Sequence, residues 1–431
     1  MLRRLEFLRE AQWWPFALLE GWRNESLSRL AKTIYEEVPF YRELFFAAGI
    51  HWTTIEEPRD LRRLPVVTKE MLRTADPGSV VRETGFPTHE EISSGSTGAP
   101  FRVIEDSRTA DMHRASFLLA LEWAGWNLGE PHVQTGVITD RGVERRAKDI
   151  LLRCHYVPVH GLDNAKLDRV LETISRRRIR HLWGYPSALY HLALRAREVA
   201  WNGDPLASIV TWADQLHYHH RREIEQVFGQ QIHDSYGCSE GIQIAAQCGS
   251  GSHYHVHMLD AIVEYLDGDD EPVAAGEPGR IVVTRLHPGT MPLVRYDTGD
   301  IGVAGEREAC SCGRAWETME SVAGRITDIV ISPRGRRYLA HSFAVDMESF
   351  ADVREYQIEQ TAGDEIVIRV VAAENHAALP LAIRDRLRES GLDDMMIRVE
   401  LVERIAPTEV GKRRWVIGLG AEGAGAMVRG N

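Results

Sequence analysis

Between about residues 105 and 235 the chain alternates helical stretches with short apolar runs, and this alternation constrains the fold most. The runs Val133–Val137, Ile179–Trp183 and Ile209–Trp212 read as strands. Strands separated by helical segments predict a mostly parallel α/β sheet. Residues 1–75 read as helices: Leu27, Leu30, Ala31, Ile34 and Tyr35 recur at helical spacing before Pro39 interrupts. From about 255 to 305 the pattern turns to strands, at Ala261–Tyr265, Gly279–Thr284 and Leu293–Tyr296. A smaller α+β unit starts near Gly324. Its strands are Glu355–Glu359, Glu365–Val371 and Ile397–Val402, and its helix is Ala377–Glu389. The tail from about 418 is rich in glycine and alanine.

Composition removes several function classes. The 431 residues carry a net charge of −12, which argues against a nucleic-acid or membrane-surface protein. No apolar run approaches the roughly 20 residues of a membrane span, and Met1–Glu6 is not followed by an apolar signal core. A cytoplasmic location is therefore expected. The five cysteines, an odd number in a large chain, argue against a disulfide framework.

Five short segments carry chemistry. Ser93-Ser94-Gly95-Ser96-Thr97-Gly98 concentrates hydroxyls and glycines, which suits phosphate oxygens, although such clusters are commonly plain loops. It is not followed by the Gly-Lys-Ser/Thr of a Walker loop. Asp234-Ser235-Tyr236-Gly237-Cys238-Ser239-Glu240 places an aromatic ring, a hydroxyl and a carboxylate together, fit for a purine, a phosphate and Mg²⁺; its plain reading is a strand-ending turn. In Arg295-Tyr296-Asp297-Thr298-Gly299-Asp300 the last carboxylate suits ribose hydroxyls, against a simple hairpin turn. Gly324–Val330 lies at the expected domain boundary, and Gly411-Lys412 presents an ammonium near the C-terminus.

In this order and spacing the segments resemble the adenylate-forming superfamily of acyl-CoA synthetases. Val38-Pro39-Phe40-Tyr41-Arg42, Leu64-Pro65, Lys69 and Gly184-Tyr185-Pro186-Ser187 make the chain similar to the phenylacetate–CoA ligase branch. The resemblance implies a large ATP- and acyl-binding domain over 1–324, with a helical cap over about 1–75. It also implies a small mobile lid domain over 325–431. The implied activity forms an acyl-adenylate from ATP and an aromatic or arylacetic acid, then passes the acyl group to CoA. An amine, a carrier protein or another non-CoA acceptor is the alternative, and a non-catalytic nucleotide-binding homologue is a third reading. The small-molecule partners would be the acid, ATP and CoA, in a possible homodimer.

The resemblance also assigns residues. Ser93, Ser94, Gly95, Ser96, Thr97 and Gly98 would wrap the ATP phosphates. Asp234, Tyr236, Gly237, Ser239, Asp300 and Arg325 would contact the nucleotide. Glu240 would hold Mg²⁺, and Lys412 would bridge carboxylate and α-phosphate. Tyr185, Trp212, Ala213, Asp214, Cys238 and Ile242 would line the acyl pocket. The chain departs from the pattern at Ala99, where a lysine is usual, at Thr327, and at Arg334–Ala340, whose arginines would suit CoA phosphates.

Cys310-Ser311-Cys312 with Cys248 and one of His253, His255 or His257 would make a closed tetrahedral zinc site, against a reading as reduced thiols. The resemblance points to Cys248, His255, Cys310 and Cys312, with His253 as the alternative ligand, in a structural role.

Overall fold

The computed structural model describes residues 1–93, 101–138, 141–159, 162–305, 310–325, 330–338, 343, 346–347, 349–350, 352–372, 377–405 and 416–419. The 94–98 segment, Ala99, Thr327, Lys412 and most of the tail lie outside the described residues, and for Ser93 and Arg325 only the backbone is described.

The N-terminal region is helical, as expected: α1 (Leu2–Ala11), α2 (Phe16–Glu37), α3 (Pro39–Ala47) and α4 (Lys69–Thr74). Pro39 ends one helix and starts the next, because its fixed φ and missing N–H suit a first helical turn. The hairpin of β1 (Thr88–Ser93) and β2 (Phe101–Asp106) follows. Asp106 then caps α5 (Ser107–Trp123), its carboxylate accepting from the Arg108 and Thr109 amides at 2.9 and 3.0 Å.

The predicted α/β alternation follows. It comprises β3 (His132–Gly136), α6 (Val143–Leu151), β4 (Cys154–Pro158), α7 (Asn164–Arg177), β5 (His181–Gly184), α8 (Pro186–Glu198), β6 (Ser208–Thr211), α9 (Tyr218–Phe228) and β7 (Ile232–Cys238). In α7, Leu167, Val170, Leu171 and Ile174 form the buried stripe, and Asp163 caps the first turn. Strands β5 and β6 are buried at every position because helices cover both faces.

An antiparallel run continues the same sheet: β8 (Ile242–Gln247), β9 (Tyr254–Val256), β10 (Ala261–Leu266), β11 (Pro278–Arg285), β12 (Tyr296–Ala304) and β13 (Thr318–Arg325). The eleven strands lie in the order β10-β11-β12-β13-β9-β8-β7-β6-β5-β3-β4. Pairing is parallel from β4 to β7 and antiparallel beyond β7.

Two expectations need correction. Asp234–Cys238 is strand, and only Ser239–Gly241 turns. The strand expected over Leu293–Tyr296 begins only at Tyr296. Arg295 takes φ +46°, while its guanidinium is drawn to Glu264 and the Leu64 carbonyl, and this breaks the run.

The C-terminal residues build other layers. These are a pair, β14 (Val330–Ile331) with β15 (Arg337–Tyr338), and a sheet of β16 (Val353–Ala362), β17 (Glu365–Ala372), β18 (Met396–Leu401) and β19 (Val416–Ile417) with helix α10 (Leu379–Glu389). This part has its own core, including Ile358, Ile368, Ile383 and Leu387. Among the described residues no helix is long and apolar enough to cross a membrane.

Candidate active site and a cysteine–histidine cluster

Gly184, Thr211 and Asp234 lie side by side in the parallel register. Tyr185 and Trp212 follow directly at the carboxyl ends of β5 and β6, and Tyr236 lies two residues beyond Asp234 on β7. Ligands of open α/β sheets sit outside the carboxyl ends of the strands, where the strand order reverses, here between β5 and β3; beyond β7 the sheet turns antiparallel. Trp212 is half-buried and edge-on to Phe117, with ring centroids 5.2 Å apart. Tyr185 is anchored through its amide to Thr135 Oγ1 at 2.9 Å. Ala213 takes φ +67°, a left-handed turn that separates Trp212 from Asp214. Asp214 accepts from the Gln215 amide. Cys238 is half-buried, whereas Ile242 is fully buried in the main core with Phe101, Val103 and Tyr296.

The third carboxylate motif joins them through a bulge. Val282 pairs with Asp297 and Arg280 with Ile301, so Thr298-Gly299-Asp300 bulges out of the ladder with β11. Gly299 at φ +77° makes this turn possible. Its amide donates to Asp297 Oδ1 and that of Asp300 to Thr298 Oγ1. Asp300 is thereby turned to accept from the Tyr236 hydroxyl at 2.8 Å. Burial, then the Asp300 carboxylate, push the Tyr236 phenol well above its ordinary value, so it remains a donor. The backbone of Arg325 lies opposite Asp300 on β13.

Glu240 is 2 % exposed. Burial pushes its carboxyl upward, but the Lys69 ammonium at 2.8 Å and the Tyr296 hydroxyl at 2.8 Å outweigh it and hold the group below its usual range. Both contacts fall on Oε1; Ser239 Oγ lies 3.4 Å from Oε2. Lys69 and Tyr296 meet there because Val67 forms a parallel bridge with Tyr296, its amide donating to the Arg295 carbonyl at 2.8 Å. Sequence reasoning gave neither residue a role: they lie far apart in the chain from Glu240, and no local spacing links them. Asp234 is already engaged, accepting from Thr211 and from the Tyr254 hydroxyl at 2.6 Å, so it braces β6, β7 and β9.

The second cluster lies at the far end of β8 and β9. One ligand atom each from Cys248, His255, Cys310 and Cys312 falls within 4.8 Å of every other. Cys248 Sγ is 3.6 Å from Cys310 Sγ, and Cys312 Sγ is 3.3 Å from His255 Nε2. Thiolates 2.3 Å from a tetrahedral zinc stand about 3.8 Å apart, so the donor set fits such an ion. Burial lowers His255 to about 4, leaving the neutral imidazole that a metal requires. The adjacent Arg314 lies over the rings of Trp13 and Trp123 and donates to Gln12 at 3.0 Å, which ties the knot to the end of α1. The arginines considered for CoA phosphates are partly neutralised: Arg334 pairs with Asp393 at 2.8 Å and Arg336 lies 3.6 Å from the same residue.

No model of a known protein family matches the chain. Phenylacetate–coenzyme A ligase of Thermus thermophilus is 30% identical over 377 residues, covering 84% of this chain and 83% of that one. The enzyme of the same name from Escherichia coli K12 is 28% identical over 327 residues, covering 73% and 72%. Among solved structures, a 2-hydroxyisobutyryl-CoA ligase in the postadenylation state, bound to 2-HIB-AMP, aligns with a TM-score of 0.77 at 22% identity. That alignment covers 96% of this chain and 92% of the other. The same ligase in its thioesterification state aligns at 0.63, over 94% and 91%. The adenylate-forming fold is thus present along nearly the whole chain, and the Thermus relative places the chain within one branch of it: it belongs to the phenylacetate–coenzyme A ligase family.

Proposed function

We propose that this chain activates a carboxylic acid, aromatic or arylacetic, as its adenylate and passes the acyl group to CoA. One observation carries the reading: Tyr236 on β7 donates to Asp300, and Glu240 stands buried in the turn that ends the same strand, where the sheet changes from parallel to antiparallel. The relatives named phenylacetate–coenzyme A ligase support the substrate class. Tyr185 and Trp212 offer aromatic surface at the same strand ends.

In the first half-reaction a carboxylate oxygen attacks the α-phosphorus, and the bond to the bridging oxygen of the β-phosphate breaks. Pyrophosphate leaves and a mixed anhydride remains. In the second, the CoA thiol attacks the acyl carbon, losing its proton to solvent, and AMP departs. Tyr236 and Asp300 orient the nucleoside end, which converts an improbable encounter into an aligned one. Lys412 bridges the two reacting anions. Glu240 would hold Mg²⁺, which prefers one or two carboxylates plus phosphate oxygens and neutralises charge on the triphosphate. Lys69 keeps this buried carboxylate ionised. Cys248, His255, Cys310 and Cys312 would hold a structural Zn²⁺ with no open position. We place the domain division after Gly324, one residue before the last strand of the eleven-stranded sheet ends and ahead of the separately cored C-terminal part.

Acid-dependent exchange of pyrophosphate into ATP, measured over a panel of aryl acids with Mg²⁺, tests the first step. Mass spectrometry after adding CoA tests the second. No exchange with any acid rejects the proposal. Exchange without thioester, together with AMP release on adding an amine, redirects it to a non-CoA acceptor.

A further inference from the structure

Behind Glu240 lies a charge that the reaction as described does not use. Arg285 ends β11 and is 1 % exposed. Its Nη2 donates to Glu105 Oε1 at 2.7 Å and to the carbonyl of Gly241. Gly241 follows Glu240 directly and closes the turn, its amide donating to the Cys238 carbonyl at 3.1 Å. It takes φ +81°, and a Cβ built there would meet Glu105 Oε1 at 2.6 Å. Only glycine permits so close an approach of the carboxylate to this turn. Glu105 is itself buried, on β2, the strand that receives the chain after the 94–100 segment. Its second oxygen is 3.3 Å from His89 Nε2 on β1.

One guanidinium therefore joins the turn that carries Glu240 to the hairpin whose strands flank the serine- and glycine-rich segment. Stability alone is a poor account of this arrangement. A buried ion pair gives little net stability over an apolar pair of similar volume. Moreover, Arg285 Nε has no hydrogen-bond partner among the described residues, and the buried Asp260 carboxylate nearby has none on either oxygen. What the pair supplies is geometry: the one nitrogen Nη2 of a rigid, planar guanidinium donates to both a carboxylate and a carbonyl, which fixes their separation in a way a contact between methylenes does not.

We propose that Arg285, with Glu105, is a positioning residue for magnesium–nucleotide binding, holding the Glu240 turn at a set distance from the β1–β2 hairpin. The inference rests on the reading of Glu240 as the carboxylate on the metal–phosphate side.

The test compares wild type with Arg285→Lys and with the double variant Arg285→Met/Glu105→Leu. The double variant removes both charges and so leaves neither partner buried alone. Circular dichroism and thermal melting establish folding. Calorimetry then measures the dissociation constant for MgATP, and the Mg²⁺ dependence of that binding. Thioester formation from supplied acyl-adenylate and CoA is followed separately. Outer residues that orient a metal ligand contribute roughly 10- to 100-fold. The double variant should therefore melt like wild type yet bind MgATP at least about tenfold more weakly, with less than about twofold change in thioester formation. Arg285→Lys should recover part of the loss, because the ammonium can satisfy one acceptor. A folded double variant that binds MgATP as wild type does overturns the proposal while leaving the Glu240 reading intact. Wild type that fails to bind MgATP overturns both.

Discussion

Glu240 shows how a buried carboxylate stays ionised: one ammonium and one phenol stabilise the charge by more than burial penalises it. Lys69→Met removes the ammonium and keeps the stem. The Glu240 carboxyl then moves up, and the acid limb of the pH profile for ATP–pyrophosphate exchange shifts to higher pH. At neutral pH, kcat/KM should fall roughly 10- to 100-fold. An unshifted limb would mean that Lys69 does not set the charge of Glu240. Asp260 is the opposite case. It is fully buried, and burial raises it to about 6 despite Arg285 and Arg4. A raised carboxyl contributes stability that is complete below its unfolded value and lost as pH rises through 6. Asp260→Asn should therefore stabilise the protein at pH 8 by up to about 3 kcal/mol, at 1.36 kcal/mol per unit. The gain should vanish near pH 4, as followed by urea denaturation at the two pH values.

At the scale of elements, the cysteine–histidine knot holds β9 and the turn after Cys310 to the N-terminal helices through Arg314, Trp13 and Gln12. Cys310→Ser should lose bound zinc, measured by elemental analysis against one ion per chain in wild type. Its stability should fall by on the order of 4 kcal/mol, as expected when a structural metal is lost. Zinc content that is unchanged, or nil in wild type, would refute the assignment. The parallel strands and helices were legible in sequence because their periodicity is local; the cysteine–histidine set was expected from the resemblance, since its spacing is not that of a standard finger, and the fold brings its four donor atoms together. Tyr236–Cys238 and Asp297–Asp300 were legible only as turns. Their strand character comes from ladder partners distant in sequence, and the bulge at Gly299 is visible only once Arg280 and Val282 pair across it.

For the whole molecule, the proposed reaction draws on two parts with separate cores: Tyr236 and Asp300 on the large sheet with Glu240 in the turn beside it, and Lys412, which falls in the C-terminal stretch of the sequence outside the described residues. If Lys412 serves adenylation alone, Lys412→Ala should lower ATP–pyrophosphate exchange by about 10²- to 10³-fold, the usual contribution of one group stabilising developing charge. Thioester formation from supplied adenylate should change less than threefold, in line with a step that does not use the lysine. Equal losses in both would show that Lys412 holds the fold or a shared site. The sequence by itself determined most of the alternation of helices and strands and the resemblance to the family, and through that resemblance it nominated residues for nucleotide and metal. The alternation rests on short-range periodicity, the nominations on the resemblance. Tertiary structure alone decided that Lys69 and Tyr296 meet on Glu240, that Asp234 is already engaged, and that Arg285 joins two segments of the site. Long-range pairing of charges is set by strand register, which short-range spacing does not encode.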